Sequence, residues 1–477
     1  MLAVNGVLGS NTTPHRWIIG IAFWLTACGA PSPRLEGPAD AGLKAVWVEL
    51  GPDGAAIARA IASADACPSI VLDGKALPMA IRVLPGTAPL RSTVSAPADS
   101  KPSAFPVTVC EMSIPIGTMR ATIGVRALPL PKAKSERIVV LGDSGCRLYG
   151  SFSVWQGCDD PAAWPFASVA ATAAGFAPDL VIHVGDYHYR ENACPAAMAD
   201  CRGSPWGYGW DAWQADFFEP AAPLLAAGPW VVLRGNHEEC ARAGQGWFRF
   251  LDPRPFETKR SCDDPANDND ANYSPSYGVP IGADAQLIVF DSAKAGYTPL
   301  AETDPQFRAY RDQFDQARAL ASRAGVPSVF ASHHPLLGFV PQRGTPPLPG
   351  NAALLSVART LFGTRYFPDG VELALHGHIH DFQAIGFASG QPATLIAGIG
   401  GDYLDVELPD PFPPTLTPAA GVVVDTIVHN ARFGFVLLER KAKEWRIAAY
   451  TRDGRVLTRC MWSGPQFSCD RTGQVAR

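Results

Sequence analysis

Side chains that bind metals recur in this chain directly after short apolar runs. Five such runs each end in a turn that carries aspartate, asparagine or histidine. The turns read Gly-Asp-Ser-Gly at 142–145, Gly-Asp-Tyr-His-Tyr at 185–189, Gly-Asn-His-Glu at 235–238, Ser-His-His-Pro at 332–335 and Gly-His-Ile-His at 377–380. Eight of the ten histidines lie between His183 and His380, so imidazole groups are concentrated here. The pattern predicts a site that holds metal ions.

The apolar runs before these turns predict buried β-strands, as in Val-Val-Leu at 139–141 and Leu-Val-Ile at 180–182. Functional sites of α/β sheets lie just past the carboxyl ends of strands, because those ends meet at one rim and the sheet holds them rigidly. Glycines beside the polar residues let the backbone turn tightly. We therefore expect the five turns to converge on one site.

The five turns, in this order, resemble the sequence blocks of the calcineurin-like metallophosphoesterases, and among them the purple acid phosphatases. The matching residues are Asp143, Asp186, Tyr189, Asn236, His237, His333, His378 and His380. The resemblance spans about residues 138–402 and includes Ala-Gly-Ile-Gly-Gly at 397–401. It implies an α/β fold, a metallophosphoesterase-type β-sandwich flanked by helices, and hydrolysis of phosphate esters with two metal ions.

Tyr189 points to the purple acid phosphatases within that family. Most metallophosphoesterases begin with Asp-x-His, whereas Gly145 occupies the histidine position here. The resemblance implies that Tyr189 replaces the missing ligand and that Asp186 bridges two metals. It assigns the first metal to Asp143, Asp186, Tyr189 and His380, and the second to Asp186, Asn236, His333 and His378.

The fourth turn leaves its ligand open between two adjacent histidines. The family pattern requires valine at position 330, but the chain has Phe330 and places Val329 one residue earlier. We take His333 as the ligand and His334 as a residue that faces substrate or supports a ligand. The two roles could be exchanged.

The ligand types agree with this chemistry. Phenolate and carboxylate oxygens suit Fe(III), while a mixed set of imidazole, amide and carboxylate accepts Zn, Mn or Fe(II). Two cations roughly 3.5 to 4 Å apart lower the pKa of a bound water and stabilise both the attacking and the leaving oxygen. The expected nucleophile is metal-bound hydroxide. His237 can hydrogen-bond the phosphate or protonate the leaving alkoxide.

We expect a small phosphomonoester as substrate, because its third phosphoryl oxygen is charged and free to accept a hydrogen bond from His237 or His334. The same ligands also permit a phosphodiesterase or a nucleotide-pyrophosphate hydrolase. A further alternative is a non-enzymatic surface lipoprotein that keeps the fold. Loss of a ligand would favour that alternative, and none of the expected ligands is missing.

The elements that position the site predict two folded regions. Residues 43–134 show short alternating runs broken by proline and glycine, which predicts a small all-β sandwich domain. Leu-Pro-Leu-Pro at 128–131 predicts a domain joint, and residues 135–477 form the catalytic domain. Within it we predict helices at 167–175 and 305–325, and an edge hairpin from the runs at 433–438 and 445–450.

Residues 1–28 are typical of an export signal. His15 and Arg16 precede an apolar run at 17–27 that is too short for a membrane span. The run ends in Leu-Thr-Ala-Cys, which resembles a bacterial lipobox and implies a lipid on Cys28, with anchoring in the periplasm or at the outer membrane. A plain signal peptide is the alternative. Residues 29–42, rich in Pro, Gly and Ala, predict a tether.

The other ten cysteines predict disulfides, because thiols of exported proteins tend to pair. Close neighbours in sequence are the easiest to join. The expected pairs are Cys67 with Cys110, Cys146 with Cys158, Cys194 with Cys201, Cys240 with Cys262, and Cys460 with Cys469. The alternative is that several are buried free thiols.

The composition narrows the class of partner. A hydrophobic fraction of 47% with 18% charged residues is typical of a packed globular protein. The formal net charge of -5 provides no broad positive field, so nucleic acid is not expected as an obligate partner. The sequence does not indicate the oligomeric state.

Several other polar and aromatic residues carry weaker signals. His183 and His376 lie inside apolar runs and are expected to be core histidines, while His188 is expected to point away from the ligands. Asp291 either supports the site or simply ends a strand. The loop residues Trp206, Tyr208, Trp210 and Trp247, and the run 344–350, either bind the organic part of a substrate or pack loops together.

Overall fold

A computed structural model describes residues 42–63, 65–441, 444–464 and 466–470, without the side chain of Phe152. Cys28, the signal sequence and nearly all of the expected tether lie outside these residues, so the lipid anchor stays a prediction. Within the described part of the chain, no helix has the length and apolar character needed to cross a bilayer.

Two large sheets dominate the described residues. The larger has eleven strands, in the spatial order Gln466–Asp470, Val456–Ser463, Glu444–Thr451, Gly434–Lys441, Arg137–Leu141, Leu180–His183, Trp230–Val232, Leu43–Leu50, Ala56–Ala62, Thr108–Ile114 and Ala80–Val83. The smaller has seven, in the order Tyr277–Pro280, Gln286–Phe290, Ser328–Ser332, Val371–His376, Ala393–Ala397, Phe382–Phe387 and Val424–Asn430.

The two sheets pack face to face around one hydrophobic core. Val140, Ile182 and Val231 of the larger sheet belong to the same buried cluster as Val329 and Leu373 of the smaller sheet. Strands buried on both faces are apolar throughout rather than alternating, as the sequence of the runs indicates. Helices cover both outer faces, so the predicted α/β sandwich flanked by helices is confirmed.

Helices flank each sheet on its outer side. The segments that pack against the larger sheet are Phe166–Gly175, Trp210–Trp213, Ala222–Leu225 and Gly244–Phe250, and a π-helical turn occupies Gln214–Phe218. The smaller sheet is covered by Pro305–Ala324 and Ala352–Phe362, and a short helix lies at Asp268–Ala271. The predicted helices at 167–175 and 305–325 are therefore present.

Local signals explain the bounds of the longest helix, Pro305–Ala324. Asp304 caps its start, since its carboxylate accepts a hydrogen bond from the backbone N–H of Gln306 at 2.8 Å. Gly325 ends it in a left-handed conformation with φ of 64°, which a residue without Cβ adopts without strain.

Residues 43–134 are all-β apart from two short 3-10 turns, as expected, but four of their strands extend the larger sheet. Strand Leu43–Leu50 pairs in parallel with Trp230–Val232 through Glu49 and Trp230. The rest includes a separate four-stranded sheet of Arg126–Ala127, Ala121–Ile123, Ser69–Leu72 and Lys75–Pro78. The pairing of Leu43–Leu50 with Trp230–Val232 covers the edge of this strand, whose backbone N–H and C=O groups would be exposed in an isolated sandwich. The domain boundary at 134 stays a prediction.

Three two-stranded ribbons complete the described β-structure: Gly86–Ala88 with Ser103–Phe105, Leu148–Tyr149 with Val154–Trp155, and Phe339–Val340 with Leu348–Pro349. The expected C-terminal hairpin is present as Gly434–Lys441 and Glu444–Thr451. It is not itself at the edge, because Val456–Ser463 and Gln466–Asp470 extend the sheet further.

All five expected disulfides are confirmed. They join Cys67 to Cys110, Cys146 to Cys158, Cys194 to Cys201, Cys240 to Cys262 and Cys460 to Cys469. Disulfides persist in oxidising compartments, so this pattern is typical of an exported protein.

Candidate metal centre

The five ligand-bearing turns converge because each follows a parallel strand at the carboxyl rim of the sandwich. Arg137–Leu141, Leu180–His183 and Trp230–Val232 run parallel in the larger sheet. Ser328–Ser332 and Val371–His376 run parallel in the smaller one. Neighbouring parallel strands end side by side, so the expected convergence on one site is observed.

Three of the candidate ligands have left-handed backbone conformations. The φ angles of Asp143, Asp186 and His378 are 57°, 59° and 69°. Positive φ is uncommon for residues with a Cβ, and such conformations concentrate at functional sites where the surrounding structure enforces them. The left-handed conformation of these three residues is therefore typical of a functional site.

The hydroxyl of Tyr189 faces three other candidate ligands. It lies 3.1 Å from Asp143 Oδ1, 2.9 Å from Asp186 Oδ2 and 3.0 Å from His380 Nε2. His380 Nε2 is also 3.2 Å from Asp143 Oδ1. A phenol has one proton and cannot donate to all three partners at once.

Asn236 is the centre of a second group. Its Oδ1 lies 3.1 Å from His333 Nε2 and 2.9 Å from His378 Nδ1. Ligand atoms of Asp186, His333 and His378 all lie within 4.8 Å of one another, close enough to hold one metal ion.

Asp186 belongs to both groups through a single oxygen. Its Oδ2 lies 2.9 Å from the Tyr189 hydroxyl and 3.1 Å from His333 Nε2. Its other oxygen, Oδ1, accepts a hydrogen bond from the backbone N–H of His237 at 2.8 Å. The carboxylate is therefore oriented so that one oxygen faces both clusters.

Two of the histidines are oriented by backbone carbonyls. Nδ1 of His333 lies 2.8 Å from the Val184 carbonyl, and Nδ1 of His380 lies 2.8 Å from the Tyr403 carbonyl. A proton assigned to each Nδ1 leaves the lone pair of Nε2 directed at the cluster, as metal-binding histidines require.

Neighbouring carboxylates raise the pKa values of His333 and His380. Burial alone would lower the pKa of His333, but the adjacent Asp186 raises it to about 9. Burial likewise opposes Asp402 and Asp143 at His380, and these carboxylates raise its pKa to about 10. Such concentrated negative charge attracts a cation to this place.

The geometry distinguishes His333 from His334. His333 contacts Asp186 and Asn236, whereas Nδ1 of His334 lies 3.3 Å from the Ser292 hydroxyl. The His334 ring packs 4.0 Å from the His378 ring and is fully buried. It is not among the residues that line the neighbouring cavity, so this placement favours support of a ligand, and contact with substrate stays a prediction.

A cavity of about 880 Å³ opens beside the two clusters. Its polar wall includes His237, Arg147 and Arg242, and Tyr149, Tyr297 and Tyr403 contribute aromatic surface. The loop run 344–350, one of the weaker sequence signals, contributes Leu348, Pro349 and Gly350 to the lining of the cavity. A pocket of this size admits an organic molecule much larger than a phosphate ion.

The sequence profile of the calcineurin-like phosphoesterases matches residues 136–382, just over half of the chain. The chain belongs to the calcineurin-like phosphoesterase family. It is accordingly an enzyme, a metal-dependent hydrolase of phosphoric esters. No curated protein sequence matches the chain significantly.

Solved structures of low sequence identity share the phosphoesterase fold. A purple acid phosphatase isolated from yellow lupin (Lupinus luteus) seeds has a TM-score of 0.50 and 15% identity, covering 86% of this chain and 72% of its own. A structure of PhoD has a TM-score of 0.53 and 10% identity, covering 91% of this chain and 92% of its own. At these identities the likeness concerns the fold.

Two buried carboxylates that the sequence analysis did not single out hold the phosphoesterase turns in place. Glu238 accepts hydrogen bonds from the backbone N–H groups of Asp186, Tyr187, His188 and Gly235. Asp216 accepts from the backbone N–H of Tyr189 at 2.7 Å and of Cys146 at 3.0 Å. Glu238 was detectable as the last residue of the third turn, while Asp216 has no motif.

The sequence analysis also did not single out four charged residues beside the site, namely Arg147, Arg242, Asp402 and Glu191. Arg147 pairs with Asp402, and Arg242 pairs with Glu191. Burial opposes ionisation of Glu191, but Arg242 and His237 hold the pKa of its carboxyl well below its usual range. The only sequence signal was the position of Asp402 directly after the run 397–401.

Close contacts with neighbouring residues explain why two positions in the phosphoesterase turns are glycine. A Cβ at Gly145 would lie 2.8 Å from the Tyr187 carbonyl oxygen and 2.9 Å from the Tyr189 backbone nitrogen. No histidine fits there without moving the turn that carries Tyr189. At Gly235 a Cβ would lie 2.1 Å from Asp186 Oδ1, so this turn also depends on glycine.

The weaker histidine signals correspond to internal packing. The ring of His183 lies 3.0 Å from the Ser144 hydroxyl, and that of His376 lies 3.0 Å from the Ser332 hydroxyl. His188 is fully buried and packs against Tyr208, away from the cavity lining. His183 and His376 therefore occupy the core positions expected of them, and the burial of His188 outside the cavity lining agrees with a side chain that points away from the ligands.

The remaining weak signals are structural as well. Asp291 ends a strand and accepts a hydrogen bond from the backbone N–H of Ser274 at 3.0 Å, without contact to the candidate ligands. Tyr208, Trp210 and Trp247 belong to the buried cluster outside the larger sheet, so they pack loops together. The ring of Trp206 lies under the ammonium group of Lys101 at 3.6 Å.

Proposed function

We propose that this phosphoesterase is a dinuclear phosphomonoester hydrolase of the acid phosphatase type. The observation that carries the proposal is the position of the Tyr189 hydroxyl, which faces three ligand atoms with only one proton to share. A cation at this point would be bound by all four groups. The first metal is then held by Asp143, Asp186, Tyr189 and His380, and the second by Asp186, Asn236, His333 and His378.

The donor set supports particular metals. Phenolate and carboxylate oxygens favour Fe(III) in the first position, and imidazole with amide oxygen accepts Zn, Mn or Fe(II) in the second. When bound, such a pair activates water for attack on phosphorus and stabilises charge on the phosphoryl oxygens.

His237 is the residue of this chain best placed to act on the substrate beside the metals. It lines the cavity, and its Nε2 lies 4.0 Å from Asp186 Oδ2. Its Nδ1 lies 3.2 Å from Glu191 Oε1, which favours a proton on Nδ1 and turns Nε2 toward the cavity. From there the ring can hydrogen-bond a phosphoryl oxygen or transfer a proton to the leaving alkoxide.

The second candidate is a phosphodiesterase or nucleotide-pyrophosphate hydrolase with the same ligands. The cavity of about 880 Å³ supports it, since that volume leaves room for a second ester arm. A non-enzymatic surface lipoprotein has no such support, because all the expected ligand side chains converge.

The test compares an aryl phosphate with the corresponding bis-aryl phosphate and a nucleotide, by kcat/KM on the metal-loaded protein across pH. We expect the monoester to be preferred and activity to be highest on the acid side. His237→Ala should lower kcat/KM for the monoester more than for the diester. A diester preference, together with equal slowing of both substrates by His237→Ala, would refute the monoesterase proposal.

We further propose that the exported protein is anchored to a membrane through lipid on Cys28. The four residues ending at Cys28 resemble a lipobox. Mass spectrometry of the mature protein should find a lipidated N-terminal cysteine, and Cys28→Ser should block processing at that position. A mature terminus at another residue would contradict the anchor.

A further inference from the structure

Two arginines on the cavity wall are each fixed by a buried carboxylate. Arg147 Nε lies 3.0 Å from Asp402 Oδ2, and Nη2 donates to the same carboxylate. Arg242 Nη2 lies 2.9 Å from Glu191 Oε2, and Nε donates to Oε1. Both carboxylate side chains are fully buried. Two nitrogen donors on one buried carboxylate fix the orientation as well as the position of each guanidinium.

Each guanidinium keeps donors that its carboxylate does not use. A guanidinium has five N–H donors in a rigid fork, and the pairing through Nε and Nη2 leaves Nη1. Among the described residues, no hydrogen bond joins Nη1 of Arg147 or Arg242 to another group. The side chains remain 21% and 11% exposed, and both line the cavity. The unused donors therefore open onto the space where substrate would lie.

Both arginines adjoin the proposed metal site. The Arg147 guanidinium carbon lies 4.8 Å from the centre of the Tyr189 ring. Arg242 shares the Glu191 carboxylate with His237, whose ring is 3.9 Å from the Tyr189 ring. Arg147 and His237 thus pack against Tyr189, and Arg242 is joined to His237 through the shared carboxylate of Glu191.

We propose that Arg147 and Arg242 form an anion-binding subsite for phosphoryl oxygens that the metal ions leave free. The inference rests on the proposed function and deepens it. Because each arginine is neutralised by its own carboxylate, the subsite supplies directed N–H donors rather than a wide positive field, which agrees with the net charge of -5. Fixed guanidinium donors match the geometry of phosphate oxygens.

The subsite selects a chemical class of substrate. A terminal phosphate has three unesterified oxygens, so one remains available to the arginines after two have been bound by metals. A diester replaces that oxygen with an ester arm, which accepts no charge-assisted hydrogen bond of comparable strength. Substrates with a terminal phosphoryl group are therefore favoured over internal diesters.

Calorimetric titration of the metal-loaded protein with inorganic phosphate tests the subsite without turnover. Arg147→Gln and Arg242→Gln should each weaken phosphate binding by about 10-fold or more, the effect of losing a hydrogen bond to a charged group. The matched control is Arg249→Gln, which breaks a two-point pair with Asp263 away from the cavity. That variant should bind phosphate within about 2-fold of the wild type.

Elemental analysis and circular dichroism on each variant check that metal content and fold are retained. Should a glutamine variant fail either check, Arg147→Lys or Arg242→Lys replaces it. Lysine keeps the charge but cannot form the two-point contact, and an intermediate loss of phosphate affinity is expected.

A second measurement compares kcat/KM for aryl phosphate and bis-aryl phosphate, and the glutamine variants should lower the monoester value about 10-fold more than the diester value.

Each outcome bears on one proposal. Phosphate affinity within 2-fold of wild type in both arginine variants, with metal retained, would overturn the subsite, as would an equal loss in the Arg249→Gln control. Equal slowing of monoester and diester would also overturn it. If phosphate binding depends on the arginines but the wild type hydrolyses neither ester, the subsite stands and the proposed function fails.

Discussion

One carboxylate oxygen of Asp186, Oδ2, lies 2.9 Å from the hydroxyl of Tyr189. The same oxygen is 3.1 Å from His333 Nε2, so it is the point at which the two proposed ligand groups meet. In the proposed centre the Asp186 carboxylate would be shared by two cations and would reduce the repulsion between them, so the binding of both would depend on one residue.

Asp186→Asn should therefore lower the bound metal and reduce kcat/KM by more than the roughly 10–100-fold expected for a supporting residue. The amide keeps the shape of the side chain but supplies no bridging negative charge. Elemental analysis and phosphatase assays measure the two effects. Asp291→Asn is the matched control, because this buried carboxylate also accepts backbone N–H groups at a strand end without contacting the ligands. Full metal content with normal turnover in Asp186→Asn would exclude the bridge.

Tyr189→Phe should remove a visible phenolate-to-iron charge-transfer band from the iron-loaded protein while leaving the fold intact. The ring packs 3.9 Å from His237 and is fully buried, and phenylalanine preserves that packing. Absorption spectroscopy and circular dichroism provide the readouts. Tyr187→Phe, in the same turn but with its hydroxyl 3.4 Å from the His183 carbonyl, should keep the colour. An active iron-loaded wild type without the band would contradict ligation by Tyr189.

Glu238→Gln should lower kcat/KM by about 10–100-fold, because the carboxylate orients the turn that carries Asp186. Its two oxygens accept from four backbone N–H groups. Glutamine would direct its NH₂ group at backbone donors and leave them unsatisfied, at a cost of about 1–3 kcal/mol in stability. The neighbouring Glu239→Gln, which loses only an ion pair with Lys294, serves as the control. Equal effects of the two substitutions would count against a positioning role.

The stability of the protein should depend on pH through Glu49, which is fully buried in the strand that joins the N-terminal region to the larger sheet. Burial raises the pKa of Glu49 to about 7, although Arg59 and Arg82 oppose the shift. Below about pH 4.5 the group is protonated in both states and stability is unaffected. Between about 4.5 and 7 the unfolded chain releases its proton first, so the free energy of unfolding falls as pH rises.

Glu49→Gln should remove this dependence and raise the free energy of unfolding above pH 7 by up to about 3 kcal/mol. Urea denaturation of wild type and variant at pH 5 and pH 8, at a fixed metal concentration, measures the difference. Glu111→Gln is the contrasting variant, since its partly exposed carboxylate accepts from Arg82 at 2.8 Å and its loss should destabilise. A difference between wild type and Glu49→Gln that is the same at both pH values would refute the assignment.

The sequence by itself determined the ligand-bearing turns, because each is a local feature: an apolar strand followed within a few residues by glycine and a polar side chain. It also determined the long helix, whose capping residues Asp304 and Gly325 lie beside it in the chain. The disulfides followed similarly, since ring closure favours cysteines that are near in sequence. Local patterns of this kind need no knowledge of the fold.

Only the tertiary structure decided which histidine of the fourth turn faces the ligands, because His333 and His334 differ only in the side of the backbone from which they project. It also decided that four strands of residues 43–134 extend the larger sheet, since backbone pairing between distant strands carries little side-chain signature. The pairing of Arg147 with Asp402 spans 255 positions. Such a contact depends on how two distant segments of the chain meet in space, and the local sequence of neither residue specifies its partner.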